Sequence, residues 1–307
     1  MLVDAVVLIL VGAAAVLLPL SRAYRSHLTR RLARQADARV PEDQVPALEA
    51  RVTRRARGVG AGILVSGLTV LVIALGWPGA RGGGYLLVSL MVTFGAAGLA
   101  VVEILRPGDV TAGPRWARPT APRLSDYIPP QVRVFGWIFT GVGLVVLLLA
   151  LALGRTRWFD ADAVWRGPVP VLLVALPVLV VLSELAVRRV LDAPQPARDE
   201  VELYWQDAVR ANTLSSLTVP PALVGLLALV VSGAVLDDAA STAAVASGRL
   251  APAWTTWLLV AGYVLPFVVL LGTLAATTVW GGTEMQRYRD RLWGGQPAGG
   301  PSAPVEA

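Results

Sequence analysis

Residues 21–58 read SRAYRSHLTRRLARQADARVPEDQVPALEARVTRRARG, a run with ten arginines against only Asp37, Glu42, Asp43 and Glu49. Loops kept in the cytoplasm collect positive charge and translocated loops do not, so this stretch sets the direction of every later span. The apolar run before it, Leu2 to Leu20, has no basic leader and no small-x-small cleavage site, and reads as an uncleaved anchor. Its positive flank follows it, which puts the N-terminus outside and the basic loop 21–58 inside. Within that loop Ser26 to Asp37 suits a short interfacial helix, while Pro41 and Pro46 break the middle.

Composition points the same way. The chain has 307 residues, 55% of them hydrophobic and 16% charged, with a mean hydropathy of +0.62. That leaves too little polar surface for an ordinary soluble domain, and the expected class is an all-α, polytopic transmembrane helical bundle. Every basic residue is arginine, so no lysine is present to form a Schiff base, and a retinal protein of the usual kind is excluded. There is no cysteine, which removes disulfides, thiolate catalysis and thiolate-bound metals. His27 is the one histidine, so haem held by paired imidazoles and histidine-based zinc sites are excluded within one chain. No metalloprotease, nucleophile-elbow or phosphatase pattern occurs; the expectation is a protein that is not an enzyme and takes no cofactor or metal.

Apolar runs of about 20 residues, enough to cross roughly 30 Å of hydrocarbon, mark about seven spans. They fall near residues 2–20, 59–76, 85–105, 132–153, 169–190, 213–236 and 254–280, within one bundle over 1–292. Residues 293–307 read as a disordered Gly/Pro tail. Assigning the connections alternately to two sides puts 22 arginines on one and five on the other, which implies N-out, C-in in the cell membrane. Between spans five and six, Val201, Tyr204, Trp205 and Ala208 recur at helical spacing against Asp199, Glu200, Glu202 and Asp207. That pattern suggests an amphipathic helix, with Tyr204 and Trp205 as candidates for docking a partner.

Pairing spans two with three, four with five and six with seven gives a weak repeat. Each outward span is entered by an arginine (Arg57, Arg133, Arg210), and each returning span carries a glutamate near its end (Glu103, Glu184, Glu284). One anchor helix followed by three helical hairpins is the architecture this suggests. Ionisable groups inside spans are costly and face a cavity or a partner, so these glutamates are the candidate functional or structural charges. One reading makes Glu103 and Glu184 ligands of a cation or members of a proton relay. The plainer one pairs each with an arginine at the same membrane face, Glu184 with Arg188 for example.

Pro177 and Pro220-Pro221 can mark broken helices around a binding site, although packing-only bundles also contain proline kinks. Asp237-Asp238 lacks the third acid a metal-diphosphate motif requires and reads as part of a solvated loop. Gly58, Gly60, Gly62, Gly95 and Gly98 form small-residue faces for close helix approach. Anionic lipid headgroups account for the arginine-rich loop without invoking nucleic acid.

The run Glu184-Leu-Ala-Val-Arg-Arg, then Pro194-Gln-Pro-Ala, then Asp207-Ala-Val-Arg-Ala-Asn-Thr-Leu-Ser-Ser-Leu217, resembles a recurring segment of uncharacterised multi-pass membrane proteins of high-GC actinobacteria. It covers about a tenth of the chain. Such proteins are often encoded beside a small regulator and an ABC-type ATPase, so the resemblance implies an accessory or permease-like role and transfers no catalytic residues. Two functional expectations follow: a non-catalytic membrane component that docks a cytoplasmic partner such as an ABC-type ATPase, or a small secondary transporter using the intramembrane glutamates. A purely structural or lipid-organising protein is the third.

Overall fold

The computed structural model describes residues 2–36, 40, 42–76, 84–107, 122–194, 197, 199–248, 250–279 and 284–295. All of its regular elements are helices: α1 Leu2–Leu17, α2 Arg22–Ala36, α3 Val45–Gly76, α4 Gly84–Leu105, α5 Leu124–Tyr127, α6 Pro130–Leu153, α7 Ala161–Trp165, α8 Val169–Asp192, α9 Glu200–Ser247, α10 Ala253–Val279 and α11 Glu284–Trp293. Six of the described helices are long and apolar enough to cross a membrane, and large side chains such as Leu10, Val72 and Val174 stand exposed on their outer faces. In a bilayer that exposure is solvation by acyl chains, so the protein reads as membrane-embedded. Helix α10 has 27 residues, but many of its side chains lie outside the described set.

The spine is α9. Its 48 residues correspond to about 72 Å of helix, more than twice the hydrocarbon thickness. The Asp199 carboxylate accepts the Glu202 backbone N–H at 2.7 Å and caps its start, and Gly248 ends it with a left-handed φ of 66°. Pro220 and Pro221 sit inside this helix without breaking it. Three stretches that the sequence separates, the amphipathic segment after Asp199, the sixth span and the loop after Leu236, are one continuous element. The basic loop 21–58 is also more ordered than its charge implies: α2 fills its first half, and α3 begins at Val45, with Pro46 tolerated in the first turn.

Glycines set the close crossings. A Cβ on Gly62 of α3 would strike the Phe94 carbonyl of α4, and one on Gly98 of α4 would strike the Gly58 carbonyl of α3. At the second crossing a Cβ on Gly143 of α6 would lie 2.6 Å from the Gly225 Cα of α9. Neighbouring backbones at these points touch directly, which only glycine permits. Helix α3 is flanked by α1 and α4, while α6, α8 and α10 gather round α9. The expected hairpins α3–α4 and α9–α10 do pack, but α6 rests on α9 more extensively than on α8. The reason is that the Gly143–Gly225 contact brings α6 closer to the spine than to its sequence neighbour.

Candidate functional site

At one end of the bundle the second half of α2, the start of α3, the end of α4, α5, the end of α8, the start of α9 and α11 meet in a single apolar cluster. Asp207 lies within it, completely buried. The Tyr127 hydroxyl donates to its Oδ1 at 2.9 Å, and the Trp293 indole N–H donates to its Oδ2 at 3.0 Å. A buried carboxylate without donors would be strongly destabilising; these two make it a junction between α5, α9 and α11. Burial, then the charge of Asp207, pushes the Tyr127 phenol above its ordinary pKa, so it remains a donor across the physiological range. Burial likewise raises Tyr288, followed by its contact with the Tyr204 hydroxyl.

A second tie closes α2. The carbonyl of its last residue, Ala36, has no donor within its own helix and accepts from the Tyr204 hydroxyl at 2.7 Å and from Arg289 at 2.9 Å. The Tyr204 ring packs on Tyr288, with centroids 5.6 Å apart, and edge-on against Trp293 at 5.3 Å. Arg287 reaches the Ser125 carbonyl of α5 at 3.0 Å.

Tyr204 and Trp205, expected from the sequence to face a partner, are therefore buried. Tyr204 is covered by the protein's own α2 and α11, and Trp205 lies beside the start of α3, which no local pattern around residue 204 reveals. Trp293, expected in the disordered tail, is the last residue of α11 and a ligand of the junction. Residues 296–307, the rest of that tail, lie outside the described residues.

The three glutamates part company. Glu103 is 1% exposed near the end of α4, with Arg55 Nε 3.2 Å from Oε1 and an Arg51 guanidinium nitrogen 3.9 Å from Oε2. Arg51 and Arg55 are four residues apart on α3 and so present both guanidinium groups to one carboxylate. Glu184 is half-buried on α8 and makes no ion pair among the described residues; Arg188, one turn on, is exposed. It lines a recess of about 40 Å³ between α6, α8 and α9, shared with Arg133, Trp137, Ser183 and Thr218. The side chain of Glu284, at the start of α11, lies outside the described residues. A larger recess, about 120 Å³, opens between α3, the α8–α9 connection and α9, with Arg51, Glu202, Gln206 and Arg210 in its wall.

Asp207, Tyr127 and Trp293 were not singled out as site residues by sequence. Asp207 is read there as one of several acids on a polar helix face; the signal that distinguishes it is only that it shares a turn with Tyr204 and Arg210. At the opposite end of α9, Asp237 accepts from the Thr255 and Thr256 hydroxyls at 3.0 Å each and so anchors the first turn of α10.

Comparison with known proteins finds no matching family, no matching curated protein and no matching solved structure.

Proposed function

We propose that this protein is a non-catalytic integral component of the cell membrane that docks a cytoplasmic protein, an ABC-type ATPase being the candidate partner, on its arginine-rich end. The observation that carries the reading is the folded platform around Asp207. Seven parts of the chain, far apart in sequence, pack together there, and four of them, α2, α5, α9 and α11, are fastened by buried polar contacts. A spanning bundle gains little from so much ordered structure beyond the membrane unless something sits on it.

The charge count supports placing this end in the cytoplasm, with the N-terminus outside and seven crossings, since all the segments assigned inside by charge meet in this cluster. The docking surface moves with the geometry: Tyr204 and Trp205 act from within as the platform's core, and the exposed Arg30, Arg31 and Arg34 of α2 offer the outward charge. The transporter alternative has Glu184 as its one unpaired candidate, because the charge of Glu103 is taken up by Arg51 and Arg55.

Purification of the tagged protein from its native membrane in mild detergent, followed by mass spectrometry, tests the reading. A soluble subunit is expected in stoichiometric amount and is expected to be lost from an Arg30→Glu/Arg34→Glu variant that still folds. Recovery of the chain alone from native membranes would overturn the proposal.

A further inference from the structure

The recess beside Glu184 lies in an unusual place. Around it the three helices present large apolar side chains outward: Phe135 and Ile138 on α6, Val181 and Leu185 on α8, Val219 and Leu223 on α9, all at least 40% exposed. Such a belt faces acyl chains, yet the recess within it is lined by a cation, a carboxylate and hydroxyls. Arg133 stands one turn into α6 from its Pro130 start, and Glu184 two turns before the end of α8, so both lie toward the arginine-rich end of their helices. Arg133 and Glu184 share the recess but make no ion pair with each other or with any other described residue. Ser183, 5% exposed, is part of the same wall. Thr140 and Thr218 donate to carbonyls of their own helices, which leaves their oxygens free to accept. Gly136 faces open space and adds no side chain to close the mouth.

An opening of this kind needs a ligand with a positive group and a negative group a few bonds apart, attached to something apolar. We propose that it is a binding site for a phospholipid headgroup carrying a primary ammonium. The ammonium donates to Glu184 and to the Thr218 and Thr140 oxygens, the phosphate accepts from Arg133 and Ser183, and the acyl chains lie along the exposed faces of α6 and α8. A primary ammonium forms charge-assisted N–H bonds to a carboxylate, and a quaternary choline has no N–H to give. The expected preference is therefore for ethanolamine over choline lipids. Arg133 contacts the phosphate common to both, so it sets affinity without setting headgroup choice. This site is independent of the docking reading above.

The test is native mass spectrometry of the full-length protein released from nanodiscs containing equal amounts of phosphatidylethanolamine and phosphatidylcholine, with phosphatidylglycerol as the remaining lipid. The wild-type protein is expected to carry phosphatidylethanolamine adducts enriched about tenfold over phosphatidylcholine, the factor expected from one charge-assisted hydrogen bond. In Glu184→Gln the enrichment falls to near unity, while in Arg133→Gln both adducts decline and their ratio holds. Glu184→Asp, which keeps the charge, retains the preference and guards against reading a folding defect as lost binding. Equal adducts on the wild-type protein, or undiminished enrichment in a folded Glu184→Gln variant, would overturn the proposal.

Discussion

The two ends of α9 are built from the same kind of helix and behave differently. From Glu200 to Leu217 nearly every face is covered: Tyr204, Asp207, Thr213 and Leu214 are completely buried, and Arg210 nearly so. From Asp237 to Ser247 the helix is mostly small residues, several of them exposed, with Val245 87% in the open. At the first end buried polar groups are matched across elements; at the second, Asp237 makes two hydroxyl contacts to one neighbour. What separates the ends is therefore not helical propensity but how many other parts of the chain depend on each.

The largest effect that could break this contrast comes from Asp207→Ala. It strands the Tyr127 hydroxyl and the Trp293 N–H and empties the junction, with an expected loss of about 3–5 kcal/mol. Thermal unfolding in detergent, with proteolysis of α11 as the local readout, checks it; an unchanged midpoint would show that the platform is held by apolar packing alone. Next is Gly225→Val at the middle of the spine, where the added branch meets the Phe139 carbonyl and pushes α6 away. About 1–3 kcal/mol is expected, with both ends of α9 left intact by proteolysis.

Alkaline pH sharpens the contrast further. The phenols of Tyr127 and Tyr288 are raised in the folded state, so their contribution is fully present below the unfolded tyrosine pKa of about 10 and is lost as pH rises above it. Hydrogen exchange at pH 11 should loosen α5 and α11 before α7 and the start of α10. The smallest effect is expected from Asp237→Ala, about 1 kcal/mol, confined to the α9–α10 connection and measurable by exchange at Thr255.

Much of the bundle is legible in the sequence because hydrocarbon imposes a length and a polarity on each span that local composition displays. The apolar runs near 2–20, 85–105 and 132–153 closely match α1, α4 and α6. The glycine faces on α3 and α4 are legible for the same reason, as spacing along a single helix. Continuity of α9 is not legible. The acids after Asp199 read as a separate surface helix, and the small residues after Leu236 read as a loop, because both signals are local.

The tertiary partners that override these signals are remote: Tyr127 is 80 positions before Asp207, and Trp293 is 86 after it. The glutamates show the same division. Pairing with arginine describes Glu103, whose partners happen to recur four residues apart, whereas Glu184 has Arg188 one turn along its own helix and does not use it.

The double proline has a mechanical consequence. Pro220 and Pro221 contribute no backbone N–H, so the carbonyls one turn earlier, at Ser216 and Leu217, lose their helical donors and the rod is softest there. Some 13 residues separate Asp207 from this point, so a bend of about 10° at the prolines would swing the Asp207 junction sideways by about 3 Å. Pro221 also forms part of the wall of the Glu184 recess. The softest point of the rod and the wall of the recess are therefore one place on α9, some four turns from the Asp207 junction.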